Sequence, residues 1–206
     1  MTYFVLIPLR LPHQIPGKRV DWENIVHTLQ RRVDISGIWM TGRGILNPSE
    51  MPKTIIIKKR KRPPPAVFCS SGAIIICQER LKSILDELDP GLHQFIPIRI
   101  EYPSGEGPED QFFILNVHHM QDTIIDEKSK ADIGPLMPNN SNRHYRLVFG
   151  FARKDGDITV DKSKLSSVNL WREPAYPGLY MMSDALKQKL KRENLDFFNP
   201  HKATEF

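Results

Sequence analysis

Two stretches of this chain share one pattern: "AIIICQERLKSILDELDPGLHQFIP" over residues 73–97 and "GLYMMSDALKQKLKRENLDFFNP" over residues 178–200. Each opens with a short apolar run, turns polar, carries a Leu-Lys pair into a helical stretch and closes on an aromatic residue and a proline. In the first, Leu81, Ile84, Leu85 and Leu88 recur at i, i+3, i+4 and i+7, the stripe of an amphipathic helix near residues 78–88, ended by Pro90-Gly91. In the second, the pattern predicts a strand over 179–182 and a helix over 184–194, with Ser183 placed to cap it. A strand feeding a one-sided helix, twice, is a way of building a shared core; neither copy needs a catalytic residue.

Working outward, "TYFVLIPL" (2–9) reads as a strand and "VDWENIVHTLQRRV" (20–33) as a helix, with Trp22, Ile25, Val26, Leu29 and Val33 at helical spacing. Residues 35–52 are loop-like, with three glycines and two prolines. "KTIII" begins a strand that must stop by Arg62, because three consecutive prolines follow and none can donate to a ladder. "HQFIPIRIEY" and "QFFILNVHHM" read as two strands around a Gly/Pro-rich connection, and "LVFGFARKDGDITV" as a hairpin turning on Asp155-Gly156. Strands and helices mix without strict alternation. The expectation is an α+β fold, with a mixed or mainly antiparallel sheet, a few packed helices and two similar strand–helix units, in a single domain over 1–206.

The chain is 206 residues long with a formal net charge of +5, unevenly spread. Residues 1–62 hold 12 Lys/Arg against 4 Asp/Glu, and the remainder 17 against 20. The loudest basic feature is Lys58, Lys59, Arg60, Lys61 and Arg62, just before Pro63–Pro65. It reads either as a site for an anionic partner, nucleic acid included, or as a solvated strand end whose lysines discourage edge pairing. No aromatic residues interleave with it, so the stacking half of a single-strand groove is missing, which disfavours nucleic acid. The opposite charge gathers in Glu101, Glu106, Glu109, Asp110, Asp122, Asp126, Glu127 and Asp132.

Chemistry-bearing patterns are weak. His118-His119 with Asp122, Asp126 and Glu127 has metal-ligand residue types, but adjacent histidines on a strand point to opposite faces. Cys69 and Cys77 match neither a disulfide framework nor a zinc or redox spacing, and "TGRG" lacks a phosphate-loop spacing. No triad, paired-carboxylate or cofactor signature is present, so no cofactor is expected. Trp171, Tyr176 and Tyr180, with Arg172 among them, have the composition of an interface hot spot, but an ordinary aromatic core rim is the preferred reading. No apolar run is long enough to span a bilayer and the N-terminus lacks a signal-peptide pattern, so the expected compartment is the cytoplasm.

The order of these motifs resembles that of the myxobacterial-type immunity proteins of bacterial polymorphic toxin systems, a family first filed as a domain of unknown function. Its members show an apolar strand feeding an "SE-x-LK-x-x-L" helix and a "QF-x-P" strand, here "CQERLKSIL" and "HQFIPI". They continue with an "LNV" strand, here "FILNV", and Asp and Ser positions, here Asp122, Asp126 and Ser129. They close with an aromatic-Arg pair, here Trp171-Arg172, and an "SD-x-LK-x-x-L" helix, here "SDALKQKL". The resemblance covers about residues 73–200, with residues 1–72 more variable. Cys77-Gln78 replaces the usual serine, so the first helix is expected to lack its side-chain cap. The resemblance implies a non-enzymatic immunity protein that binds a cognate protein toxin and occludes its active site. A nuclease toxin with a basic cleft would suit the acidic residues, an acidic toxin region the basic run. The candidate contact set is therefore Lys58, Lys59, Arg60, Lys61, Arg62, Asp122, Asp126, Glu127, Trp171, Arg172 and Tyr176. The alternative is a basic nucleic-acid-binding module using 58–62.

Overall fold

The computed structural model describes residues 1–6, 19–20, 44–57, 63–69, 75–130, 132–135, 146–149, 154–174, 176, 178–195 and 199–206. The chain begins with β1 (Thr2–Leu6), β2 (Arg19–Val20), β3 (Thr54–Ile56) and β4 (Val67–Cys69). The first shared phrase forms β5 (Ile75–Gln78) and α1 (Glu79–Leu88), and β6 (His93–Glu101) and β7 (Phe112–Val117) follow. Next come β8 (Asp132–Pro135), β9 (Arg146–Phe149), β10 (Thr159–Val160) and β11 (Leu170–Arg172). The second phrase forms β12 (Leu179–Ser183) and α2 (Asp184–Arg192), and β13 (His201–Lys202) and β14 (Thr204–Glu205) end the chain.

The fold is α+β. Among the described residues one sheet has the order β2-β3-β6-β7-β5-β4 and a second the order β11-β12-β1-β13. Every pairing in them is antiparallel except β3 with β6, so the sheets are mixed but mainly antiparallel. Both helices pack into one apolar layer. Leu81, Ile84 and Leu85 of α1 and Leu186 and Leu190 of α2 meet Tyr3 and Val5 from one sheet and Ile75, Cys77, Phe113, Leu115 and Val117 from the other. Leu81 and Leu186 are only 1% and 0% exposed. Burying such a side chain is worth about 1.5–3 kcal/mol, so five of them are a large share of a domain's net stability. The opposite faces of the sheets bury separate clusters: Ile55, Ile76, Ile96, Ile98 and Ile114 behind the first, Phe4, Ile158, Val160, Trp171 and Met181 behind the second.

A polar tie joins the two phrases. Asp89, at the end of α1, is 3% exposed. Its carboxylate accepts the Asn169 N–H at 2.8 and 3.0 Å, the Leu170 N–H at 2.9 Å, the Asn169 Nδ2 at 3.0 Å and the His93 Nε2 at 3.2 Å. The Ser183 hydroxyl donates to Asn169 Oδ1 at 2.6 Å while accepting the Leu186 N–H at 3.1 Å. One asparagine on the approach to β11 thus connects the C-terminus of α1 to the N-terminus of α2. Burial alone would raise the Asp89 pKa; the bonds from His93, Asn169 and Leu170 outweigh it and hold the carboxyl below its usual value.

Ser183 caps α2 as expected, and Gln78, at the N-cap position of α1, makes no side-chain cap. Of the expected hairpin at Asp155-Gly156, residues 150–153 lie outside the described residues. The turn forms, with Gly156 at φ +82° and the Asp157 N–H donating to the Lys154 carbonyl. However, β9 pairs with β8, and β10 pairs in parallel with β14. A local turn signal fixes a reversal of the chain; the partner of each strand was decided by tertiary packing. The expected helix at 20–33 and the basic run 58–62 lie outside the described residues, Val20 excepted, which forms part of β2.

Candidate interaction surface

Beyond β7 the chain does not turn back into the sheet. Residues 118–130 run as a ribbon between β11 and β10, held from both sides. Toward β11, the Arg172 N–H donates to the His119 carbonyl at 3.0 Å and the Gln121 N–H to the Arg172 carbonyl at 3.1 Å. Toward β10, the Ile125 N–H donates to the Thr159 carbonyl at 2.9 Å and the Asp161 N–H to the Thr123 carbonyl at 2.7 Å. Ser129 takes the Thr159 N–H on its hydroxyl at 3.0 Å and gives its own proton to the Ile125 carbonyl at 2.8 Å. The ribbon has little regular structure, yet its backbone polar groups are extensively paired.

Its side chains divide sharply. Asp122 and Glu127 are exposed, and Asp126 is half-buried and accepts a hydrogen bond from the Tyr176 hydroxyl. Trp171, Arg172 and Tyr176 are buried, at 2%, 2% and 3% exposure. The Arg172 guanidinium lies over the Tyr180 ring, 4.8 Å from its centroid. Trp171 and Tyr176 form the wall behind the ribbon, and Arg172 lies on the other face of β11 against Tyr180; the carboxylates of Asp122 and Glu127 form the ribbon's outer face.

Glu173 is the residue that sequence reasoning missed. It is 2% exposed, and its carboxylate accepts the Thr123 N–H at 3.0 Å, the Thr123 hydroxyl and the Trp171 Nε1–H at 3.3 Å. No Lys or Arg among the described residues pairs with it. Burial pushes its pKa up to about 7, opposed by the Thr123 and Trp171 hydrogen bonds and assisted by the neighbouring Asp122 charge. The available signal was its place in "LWREP", one residue past a strand whose apolar residues face a core.

The acidic stretch is split in two. Glu101, Glu106, Glu109 and Asp110 lie at the start of β7, and Asp122, Asp126 and Glu127 beyond its end. Six residues of strand separate them, about 20 Å. Asp110 accepts from Gln78 Nε2 at 3.1 Å, and Glu101 pairs with Arg99 at 2.9 Å. For the histidines, burial first, then the His93 and His119 charges, lower the His118 pKa. Among the described residues no group of three His, Cys, Asp or Glu side chains is arranged to hold a metal ion. Cys77 is buried in the helix layer, where burial pushes its thiol pKa up, away from nucleophilic use.

A family model, described as the immunity protein family Imm11, matches residues 4–205. The chain belongs to the Imm11 immunity protein family. The match extends through the first seventy residues, where the motif resemblance was loose, and takes in both the ribbon and the wall behind it. No curated protein matches the chain. No helix of the described residues is long and apolar enough to cross a membrane. In this chain both strand–helix phrases contribute to one apolar layer, and the ribbon carries the exposed Asp122 and Glu127 on a paired backbone.

Proposed function

We propose that this Imm11 chain acts in the cytoplasm as a single-domain immunity protein, binding the cognate toxin of a polymorphic toxin system and occluding its active site without catalysis. The family match over residues 4–205 carries the reading. Neutralisation by binding requires a surface complementary in shape and charge to one partner, and no reactive group. The ribbon suits such a role, because Asp122 and Glu127 project from a backbone pinned to β10 and β11, which lowers the ordering cost of association. They would face a basic cleft such as a nuclease presents. Asp126, Trp171, Arg172 and Tyr176 would hold the ribbon's shape, and the basic run 58–62 would be a second contact, suited to an acidic region of the toxin.

The test is binding and rescue with the toxin domain encoded beside this gene. A stoichiometric complex and restored growth of toxin-expressing cells are expected. Asp122→Lys with Glu127→Lys should slow association about tenfold at low salt and flatten its salt dependence. Reversal of Lys58–Arg62 reports on the other face. No complex and no rescue would overturn the reading. Tight, steeply salt-dependent binding to DNA or RNA, compared at about 50 and about 200 mM salt, would favour a nucleic-acid-binding module instead.

A further inference from the structure

Glu173 is a buried carboxylate whose hydrogen-bond donors come from two elements. The Trp171 indole belongs to β11, and the Thr123 N–H and hydroxyl belong to the ribbon. We propose that Glu173 is a proton-sensitive latch that sets how firmly residues 118–130 are held against β11. That the ribbon is the surface a toxin meets rests on the reading above; the latch itself does not.

The physics follows from placement. An ionised carboxylate out of water is costly unless a cation or enough hydrogen bonds compensate it. Glu173 has donors from only two residues. The charged and titratable groups around it come from four sides. Asp122 and His119 lie on the ribbon, and Arg172 and Tyr180 on the opposite face of the sheet from Trp171, the guanidinium over the ring. Tyr176 with Asp126 lies at the following turn, and Asp161, bound to Ser163, at the end of β10. Asp122, a like charge, acts to keep Glu173 protonated. Lifting the ribbon would return the carboxylate to water. The closed ribbon therefore binds the proton more tightly than the open one, and opening becomes easier as pH rises through neutrality. The Thr123 hydroxyl suits either state, since it donates to the carboxylate and can accept from the acid.

The measurement is amide hydrogen exchange by NMR on the whole protein between pH 5.5 and 8, corrected for the intrinsic dependence on hydroxide. With a folded pKa of about 7 against 4.5 in water, ribbon opening should rise on the order of tenfold across that range. The amides of Ile114 and Leu115 in β7 should not follow. Glu173→Gln should abolish the dependence. Asp122→Asn, a surface change that leaves the core intact, should move the midpoint to lower pH. Equal pH dependence of ribbon and β7 amides, or a Thr123 protection that is flat in the wild type, would overturn the latch. Neither result involves a toxin, so both leave the immunity reading standing.

Discussion

Replacing Asp89 with asparagine tests whether one buried carboxylate holds the two strand–helix phrases together. The wild-type group satisfies the Leu170 N–H and the His93 Nε2, both buried, and two donors of half-buried Asn169. An asparagine keeps one acceptor oxygen and turns an NH2 toward donors. At least one buried donor is then left facing another, at about 1–3 kcal/mol, and the bonds that remain lose their charge assistance. The expected loss is about 2–4 kcal/mol, against a typical net stability of about 5–15 kcal/mol. Urea unfolding should show a lower midpoint at unchanged m. The pH dependence has a definite sign. The folded pKa of Asp89 lies below its ordinary 3.8, so its contribution is fully present above that value and is lost as pH falls through the folded one. The gap between wild type and Asp89→Asn should therefore narrow below about pH 4. A loss under about 0.5 kcal/mol, typical of an ordinary surface substitution, would refute the argument. So would a gap that stays constant from pH 6 to pH 3.

Three further changes follow from the same geometry. Gln78→Ser gives α1 the cap that Ser183 gives α2, at the cost of an exposed bond to Asp110; it should stabilise by about 0.5–1 kcal/mol, raising Tm by about 2–4 °C in a thermal melt. Gly107→Ala would place a methyl 2.2 Å from the Ile100 carbonyl oxygen, so the β6–β7 connection must shift, and urea titration should show a loss of about 1–3 kcal/mol. The Cys77 thiol, buried with its pKa pushed up, should resist alkylation in the native protein and react once the chain unfolds, which mass spectrometry of the labelled peptide reads directly.

The core was legible because periodicity reports burial. The stripe of Leu81, Ile84 and Leu85 and the pair Leu186 and Leu190 follow from spacing, and these residues form one apolar layer with both sheets. Ser183 and Gln78 were readable for a related reason: a cap is a local event between a side chain and a backbone N–H two or three residues on. Strand partners were not. Nothing near Asp155-Gly156 says that β10 will pair with β14, because that choice is made by segments forty-five residues apart in sequence. The candidate surface was legible in type but not in arrangement. Asp122 and Glu127 are exposed, whereas the nearby aromatic-Arg group, which composition allows on a surface but favours at a core rim, lies inside. Composition carries no direction, and β11 turns Trp171 and Arg172 inward whichever role their chemistry would suit.

The position of Glu173 connects stability to recognition. A buried carboxylate with a raised pKa weakens the fold above neutrality, and an amide at the same place would relieve the charge, though its NH2 would face the Trp171 N–H. On stability alone the carboxylate is a poor choice. It gains a purpose if the ribbon's outer face meets positive charge. A cation drawn to Asp122 would also act on Glu173 behind it, because the two carboxylates already influence one another. Docking would then lower the Glu173 pKa and relieve the cost of holding the ionised group in the closed ribbon, so that a basic partner tightens the very surface it binds. A partner of the wrong charge would have the opposite effect. Specificity would thus reside in the coupling between an exposed charge and a buried one, and the wall of Trp171 and Tyr176 would set the distance over which they couple.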